Sequence, residues 1–383
     1  MLAGLAERLV TRGWQVTVIA GPADDAPASS YRNGVRVERV SARAFTRDST
    51  WKRALAYASL YPAFLMRALQ IPRPDVVVSK TDPPLQLVLS ALLGRLWNVP
   101  AVHWAQDIYP EVAEELGVIR KNGWLAGALR RVSTWALHQH ARVVTVGRCM
   151  QQRLVARGYP QQRTRVIPNW APASVHPVPH GENAFRATHN LQDAFVVMYS
   201  GNMGLAHPFD AVLKAATHLQ DTVPDAVIAF VGEGPRKRHL QTISRERGLD
   251  NVRFFPYQPF ETLAHSLSAA DVHLVTMQPE LEGLVVPSKL YGVLAAGRPA
   301  LFLGPAGSEA AHVLREHHCG TVLPEPTGQT LARKIETWYA QSDRRAAAGR
   351  RARAVVTDAD ARAAASFERV LHTCIRSRAV APA

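Results

Sequence analysis

Three times in the second half of this chain a strand-like apolar run gives way, through a turn with glycine or proline, to a helix-compatible stretch, and this repeated layout limits the possible folds more than any other feature. The first junction is FVVMYSGNMG at 195–204, where Gly201, Asn202 and Gly204 close the apolar run and a helix follows from about Phe209 to Leu219. The second, AVIAFVGEGPRKRHL at 226–240, turns at Gly232 and Gly234 and enters a basic helix through Pro235, Arg236 and Lys237. The third, EGLVVPSKLYGVLAAGRP at 282–299, runs from Glu282, Gly283, Leu284 and Val285 through Pro287 and Ser288 into a helix that ends at Gly297. Strands alternating with helices predict an α/β chain with parallel sheets. In doubly wound sheets the loops at the carboxyl ends of the strands meet in one crevice, where ligands bind.

The residue types at these junctions fit a particular ligand. A helix start carries unpaired N–H groups and about half a positive charge, so it attracts phosphate. Lys289 stands in the first turn of the third helix, against the usual dipole preference, and an anion at that point resolves the conflict. Gly201 and Gly204 allow the backbone to approach a phosphate or ribose closely. Glu282 suits the hydroxyls of a neutral polyol. Together these features predict a pocket for a sugar joined to a diphosphate.

Composition sets the outer limits. With 383 residues, 47% hydrophobic and 20% charged, the chain is globular and long enough for two domains. Cys149, Cys319 and Cys374 have neither metal-ligand nor disulfide spacing, which suits a reducing cytoplasm. No run of about 18 apolar residues marks a membrane span. A net charge of +14 and a pI near 10.2 call for a partner. Nucleic acid is disfavoured, because the aromatics do not interleave with the basic residues in a stacking pattern. An anionic membrane surface fits better. The stretch 51–70 mixes Trp51, Tyr57, Tyr61 and Phe64 with Lys52, Arg53 and Arg67, and Trp124, Arg130, Arg131 and Trp135 recur in the next surface helix. Each cation near anionic lipid contributes about 1 kcal/mol. The alternative is that these apolar residues pack inward.

Strands are expected near 15–20, 35–40, 75–79, 100–104 and 141–146, and then near 195, 227, 252, 272, 299 and 320. The expected domains are 1–170 and 191–355, joined by the Pro- and His-containing linker 171–190, with 356–383 returning to the first.

GNMG, VGEGP and EGLVVPSKLYGVLAAGRP, in that order and spacing, resemble the donor half of the retaining glycosyltransferases of group 1. NVPAVHWAQDIYPEVAEELG at 98–117 and RVIPNWAP at 165–172 are similar to the acceptor half of its bacterial exopolysaccharide and O-antigen branch. The resemblance implies the GT-B architecture, two Rossmann-like domains facing a cleft, and a nucleotide-sugar donor with no obligatory metal and no cofactor. It also implies a saccharide or lipid-linked acceptor met at the inner face of the cytoplasmic membrane. Carried onto this chain, the catalytic candidates are Asp107, Glu282 and Lys289. The donor-binding candidates are Gly201, Asn202, Gly204, Gly232, Gly234, Arg236, Lys237, Tyr257, Gly283, Leu284, Val285, Pro287 and Ser288.

This sequence departs from the family pattern in three places. Many members carry two Glu separated by seven residues. Here the second position is Gly292, the first falls near Leu284, and Glu282 is displaced by two. The Arg and Lys that usually follow the first Gly loop are absent, and GLAHPFD supplies His207, so Lys289 with Arg236 or Lys237 must hold the diphosphate. Met1 also lies inside the helix that normally follows the first strand and its Gly-rich loop, which suggests a start codon assigned late. Two other readings stay open: a sugar-nucleotide epimerase of similar architecture, and a non-catalytic assembly protein. A nicotinamide oxidoreductase is disfavoured because no strand leads into G-x-G-x-x-G.

Overall fold

A computed structural model describes all residues except 24–25, 42–49, 205 and 380–383, with the side chains of 50–56, 378 and 379 also outside the described set. The chain forms two compact units, Met1–Pro168 with the segment from Asp360, and Asn169–Ala359.

The first unit holds β1 (Thr17–Ala20), β2 (Ser29–Arg32), β3 (Val35–Arg39), β4 (Val77–Lys80), β5 (Ala101–Ala105), β6 (Arg142–Thr145) and β7 (Thr164–Val166). They make two sheets, ordered β1-β3-β2 and β4-β5-β6-β7. β5 is buried throughout and lies parallel to β4 and β6. A strand covered on both faces reads as a continuous apolar run, which is why it was legible. β2 and β7 go beyond the strands read from the sequence. β2 pairs antiparallel with β3 across Asn33 and Gly34, both at positive φ (47° and 80°), the Asn-Gly signature of a tight hairpin. The terminal helix Ala359–Ala379 packs on this unit. Phe367 sets its edge on Trp104 with ring centroids 4.9 Å apart, and Glu368 pairs with Arg12 at 2.8 Å.

The second unit is one parallel sheet of β8 (Phe195–Ser200), β9 (Ala226–Val231), β10 (Val252–Phe255), β11 (Val272–Thr276), β12 (Ala300–Leu303) and β13 (Gly320–Leu323). Its order is β10-β9-β8-β11-β12-β13, so the winding reverses between β8 and β11. Alternate side chains enter different cores: Val197, Tyr199, Ile228 and Phe230 on one face, Val196, Met198, Val227 and Ala229 on the other. Fully burying each such aliphatic or aromatic side chain contributes about 1.5–3 kcal/mol. Residues 169–190 pack on this unit: Trp170, Val175 and Val178 are buried, and Arg298 Nη2 donates to Val178 O at 3.1 Å. The chain passes from one unit to the other between Pro168 and Asn169, at the start of the Pro-rich segment.

A buried polar network ties the first unit together. Ser79 Oγ lies 3.0 Å from His103 Nδ1 and 2.7 Å from Ser90 Oγ, which lies 2.9 Å from His140 Nε2. Burial holds His103 well below the usual imidazole range and pushes His140 down to about 4. Both rings are neutral when folded. The unfolded histidines take up protons below about pH 6.5 while the folded ones do not, so stability is complete above that pH and is lost toward pH 4. Urea unfolding should show a loss between pH 7.5 and 5.0 of about 2 kcal/mol from His140 alone. Equal stability at the two pH values would contradict the neutral assignment.

Candidate functional site

In the second unit the loops after β8 and β9 lie side by side at the switch point. Gly201 N donates to Val231 O and Gly232 N to Phe255 O, both at 2.9 Å, so each loop leaves its strand in register with the neighbouring strand. Gly232 sits at φ +134°, and a Cβ there would overlap Gly201 O and lie 3.3 Å from Tyr257 Cε1. Gly234 sits at φ +147°, where a Cβ would lie 2.6 Å from Met203 O and 2.7 Å from Asn202 Oδ1. Met203 N donates to Glu233 O at 2.8 Å and Arg236 N to Met203 O at 3.1 Å. Two backbones meet here with no room for a side chain, and only glycine supplies both the space and the conformation.

Lys289 lies beneath this double loop. Its Cε and Nζ would be 3.4 Å from a Cβ on Gly201, which itself has φ +135°. Nζ donates to Tyr199 Oη and lies 3.8 Å from the centroid of the Tyr199 ring, and Tyr199 Oη donates to Asn202 O at 2.7 Å. His207 Nε2 is 3.5 Å from Nζ. His207 Nδ1 donates to Thr276 O at 2.8 Å, which leaves Nε2 as an acceptor facing the lysine. Burial, and then Lys289, push His207 down to about 3. Burial pushes Lys289 down to about 7. Among the described residues no carboxylate forms an ion pair with Lys289.

The other candidate residues separate by role. Arg236 Nη1 donates to His207 O at 3.0 Å, which places its guanidinium at the same loop. Lys237 is already engaged: Nζ donates to Gly232 O at 3.0 Å and pairs with Glu233 at 2.6 Å. Of the two basic residues, Lys237 is the one already paired with a carboxylate. Tyr257 is 49% exposed beside Gly232. The helix begins at Lys289, with Ser288 as N-cap making no side-chain cap bond. Gly204, by contrast, has only the Asn202 amide near its Cβ position, at 3.0 Å. Gly283 has φ +72°, Leu284 is fully buried and Pro287 is buried with Val285 half-buried, so this stretch offers a ligand mainly backbone.

Glu282 has a neighbour that sequence reasoning missed. A Cβ on Gly307 would overlap Glu282 Oε1, so the carboxylate rests against the bare backbone of the loop after β12. That loop, GPAGS at 304–308, repeats the strand–glycine–helix layout, with Ser308 Oγ capping the next helix by accepting from Ala311 N at 3.4 Å. The glycines were the available signal.

Asp107 belongs to the first unit. It follows β5, and its N–H and that of Gln106 donate to Thr81 Oγ1, a residue just past β4, at 3.4 and 2.9 Å. Burial raises its carboxyl to about 6, opposed by Lys80 and reinforced by Asp82. Above that pH it is a carboxylate able to accept a proton. Glu111 and Glu114 act within the fold: Glu111 pairs with Arg157 at 3.0 Å and Glu114 with Arg130 at 2.6 Å.

Gly307→Ala should displace only the flexible end of Glu282. Melting temperature should stay within about 2 °C, as expected for a change costing under 0.5 kcal/mol, while sugar transfer falls at least tenfold. Full transfer with intact melting would detach Glu282 from the site.

Residues 1–170 match the model of the glycosyl transferase 4-like domain and residues 182–355 that of glycosyl transferases group 1. The chain is 29% identical to the probable glycosyltransferase WbjE of Pseudomonas aeruginosa over 73% of this chain and 70% of that one. It is 27% identical to the putative colanic acid biosynthesis glycosyl transferase WcaI of Escherichia coli K12 over 84% and 83%. Its fold matches that of Anabaena HepE, solved with UDP-glucose, at a TM-score of 0.73 and 16% identity over 97% of this chain and 94% of that one. With the two domain models matched in order along two Rossmann-like α/β units, the chain belongs to the group 1 glycosyltransferases and has the fold of GT-B enzymes.

Proposed function

We propose that this enzyme moves a sugar from a nucleotide-diphosphate sugar to a lipid-linked saccharide, with retention of anomeric configuration, in the biosynthesis of a cell-surface polysaccharide. The observation that carries the donor assignment is Lys289 Nζ, held under the Gly201 loop by Tyr199 and His207 and, among the described residues, without a carboxylate partner. A diphosphate above it would receive Lys289, Arg236 and those backbone N–H groups of the two glycine loops that do not already donate to Val231, Glu233 and Phe255. Such preorganised donors stabilise the charge that develops on the departing diphosphate. Glu282 would hold donor hydroxyls, and Asp107 would orient the acceptor hydroxyl and accept its proton. The polysaccharide context rests on the name of the colanic acid relative. The donor class is supported by the UDP-glucose bound to HepE.

No described helix is long and apolar enough to cross a membrane. The surface proposed to dock at the inner face of the cytoplasmic membrane is narrower than the sequence suggested. In helix Thr50–Leu69, Phe64 is buried, Tyr61 donates to Pro84 O and Arg67 pairs with the fully buried Glu38, while the side chains of Trp51, Lys52 and Arg53 lie outside the described residues. In helix Trp124–Gln139, Arg130 is held by Glu114 at 2.6 Å, but Trp124 is 85% exposed and Trp135 40%. Arg131 and Val132 are exposed as well, and this spacing places all of them on one helical face.

Lys289→Ala should weaken nucleotide binding in calorimetry by about 1–3 kcal/mol, the loss of a charge-assisted hydrogen bond. Glu282→Gln should keep the diphosphate and lose transfer. Unchanged nucleotide affinity without Lys289 would remove the donor assignment. In flotation, the protein should bind anionic vesicles in low salt and release as salt rises, because such contacts are screened within about 8 Å at physiological ionic strength. Substituting Trp124 and Trp135 by Ser should abolish flotation, and equal flotation of that variant would dismiss this face.

A further inference from the structure

We propose that the donor diphosphate binds together with one proton from solvent, taken up by Lys289 Nζ and held toward the phosphate by the lone pair of His207 Nε2. The inference rests on the assignment of the diphosphate to the loops over Lys289.

The groups around Nζ accept its N–H bonds, and the Tyr199 ring face favours a cation, but none of them carries negative charge. Tyr199 Oη and ring, His207 Nε2 and the Gly201 loop enclose Nζ. The charged and titratable groups on the surrounding elements do not compensate. Tyr199 on β8 is neutral, with burial raising its hydroxyl. His207 is a neutral acceptor fixed by Thr276 O on β11. Arg236 from the loop after β9 adds a like charge, which also acts on His207. Glu233 is taken by Lys237, Glu282 rests against Gly307, and Tyr257 bears on Tyr199 as a second phenol. Lys289 is also the first residue of its helix, where the peptide dipoles oppose a cation. Burial leaves this lysine titrating near neutrality, at about 7.

A bound diphosphate supplies the missing counter-charge. Its negative charge favours the ammonium form, Nζ then donates to phosphate oxygen, and His207 Nε2 can accept a second N–H. The balance is simple: one amine and one proton become one ammonium, and no covalent bond of the donor changes. By linkage, a ligand that raises the affinity of Lys289 for a proton is itself bound more weakly as protons become scarce.

The same residues supply the test. Calorimetric titration with UDP and with GDP at pH 8, where the terminal phosphate (pKa about 6) is already ionised, is repeated in two buffers of different ionisation enthalpy. The apparent enthalpy should differ between buffers by an amount equivalent to the uptake of close to one proton. Affinity should fall with a limiting slope of about tenfold per pH unit above neutrality. Lys289→Arg keeps a charge that does not titrate, so it should bind with no buffer dependence. Binding by wild type with identical enthalpy in both buffers and a flat pH profile overturns the proton uptake while leaving the donor site in place. Binding of neither nucleotide at pH 6.5 or 8 overturns the diphosphate assignment itself. Persisting uptake in Lys289→Arg assigns the proton to another group and contradicts the proposal.

Discussion

The second unit depends on one close approach, the carbonyl of Gly201 against the α-carbon of Gly232. Parallel strands one hydrogen-bonded spacing apart deliver their following loops side by side, and any side chain at the crossing would push them apart. With glycine at 201, 232 and 234, all at positive φ, the loops instead close over Tyr199 and Lys289. The lysine is thereby trapped between an aromatic ring and a backbone that can offer N–H groups to an anion. A sheet that reverses its winding between β8 and β11 puts this arrangement where ligands of doubly wound folds bind.

Much of this was legible in the sequence, for identifiable reasons. Fully buried parallel strands such as β8 and β9 read as unbroken apolar runs, and the glycine at the end of each run is visible without knowing the fold. Lys289 was conspicuous because its position contradicts the helix dipole. The partners of Lys289 were less legible. Tyr199 is a strand residue of ordinary type, distant in sequence, and only the sheet brings it under the helix start. His207 stands in the sequence where cations are missing, yet it is a neutral acceptor, because the hydrogen bond that fixes its tautomer is donated to Thr276 O on β11. The neighbour of Glu282 is hidden in the sequence because GPAGS follows a short strand, and only the fold brings Gly307 to the carboxylate.

The basic aromatic helices show the converse limit. Composition recorded Tyr61, Phe64, Arg67 and Arg130 as surface features, but a helix position commits its side chain to the interior or to solvent only once the packing is known. Phe64 fills a core with Leu60, Leu89 and Leu93, and Arg67 and Arg130, themselves partly exposed, neutralise the buried carboxylates of Glu38 and Glu114. A positive net charge therefore overstates the free cationic surface. Internal pairing consumes part of it.

The account stands on the diphosphate lying over Lys289. A crystal structure with a bound nucleotide sugar measures that directly. The account predicts both phosphates against the 201–204 loop, with an oxygen within about 3 Å of Lys289 Nζ, the length of a charge-assisted hydrogen bond. Phosphates bound elsewhere, with Lys289 still turned to Tyr199 and His207 alone, would contradict it.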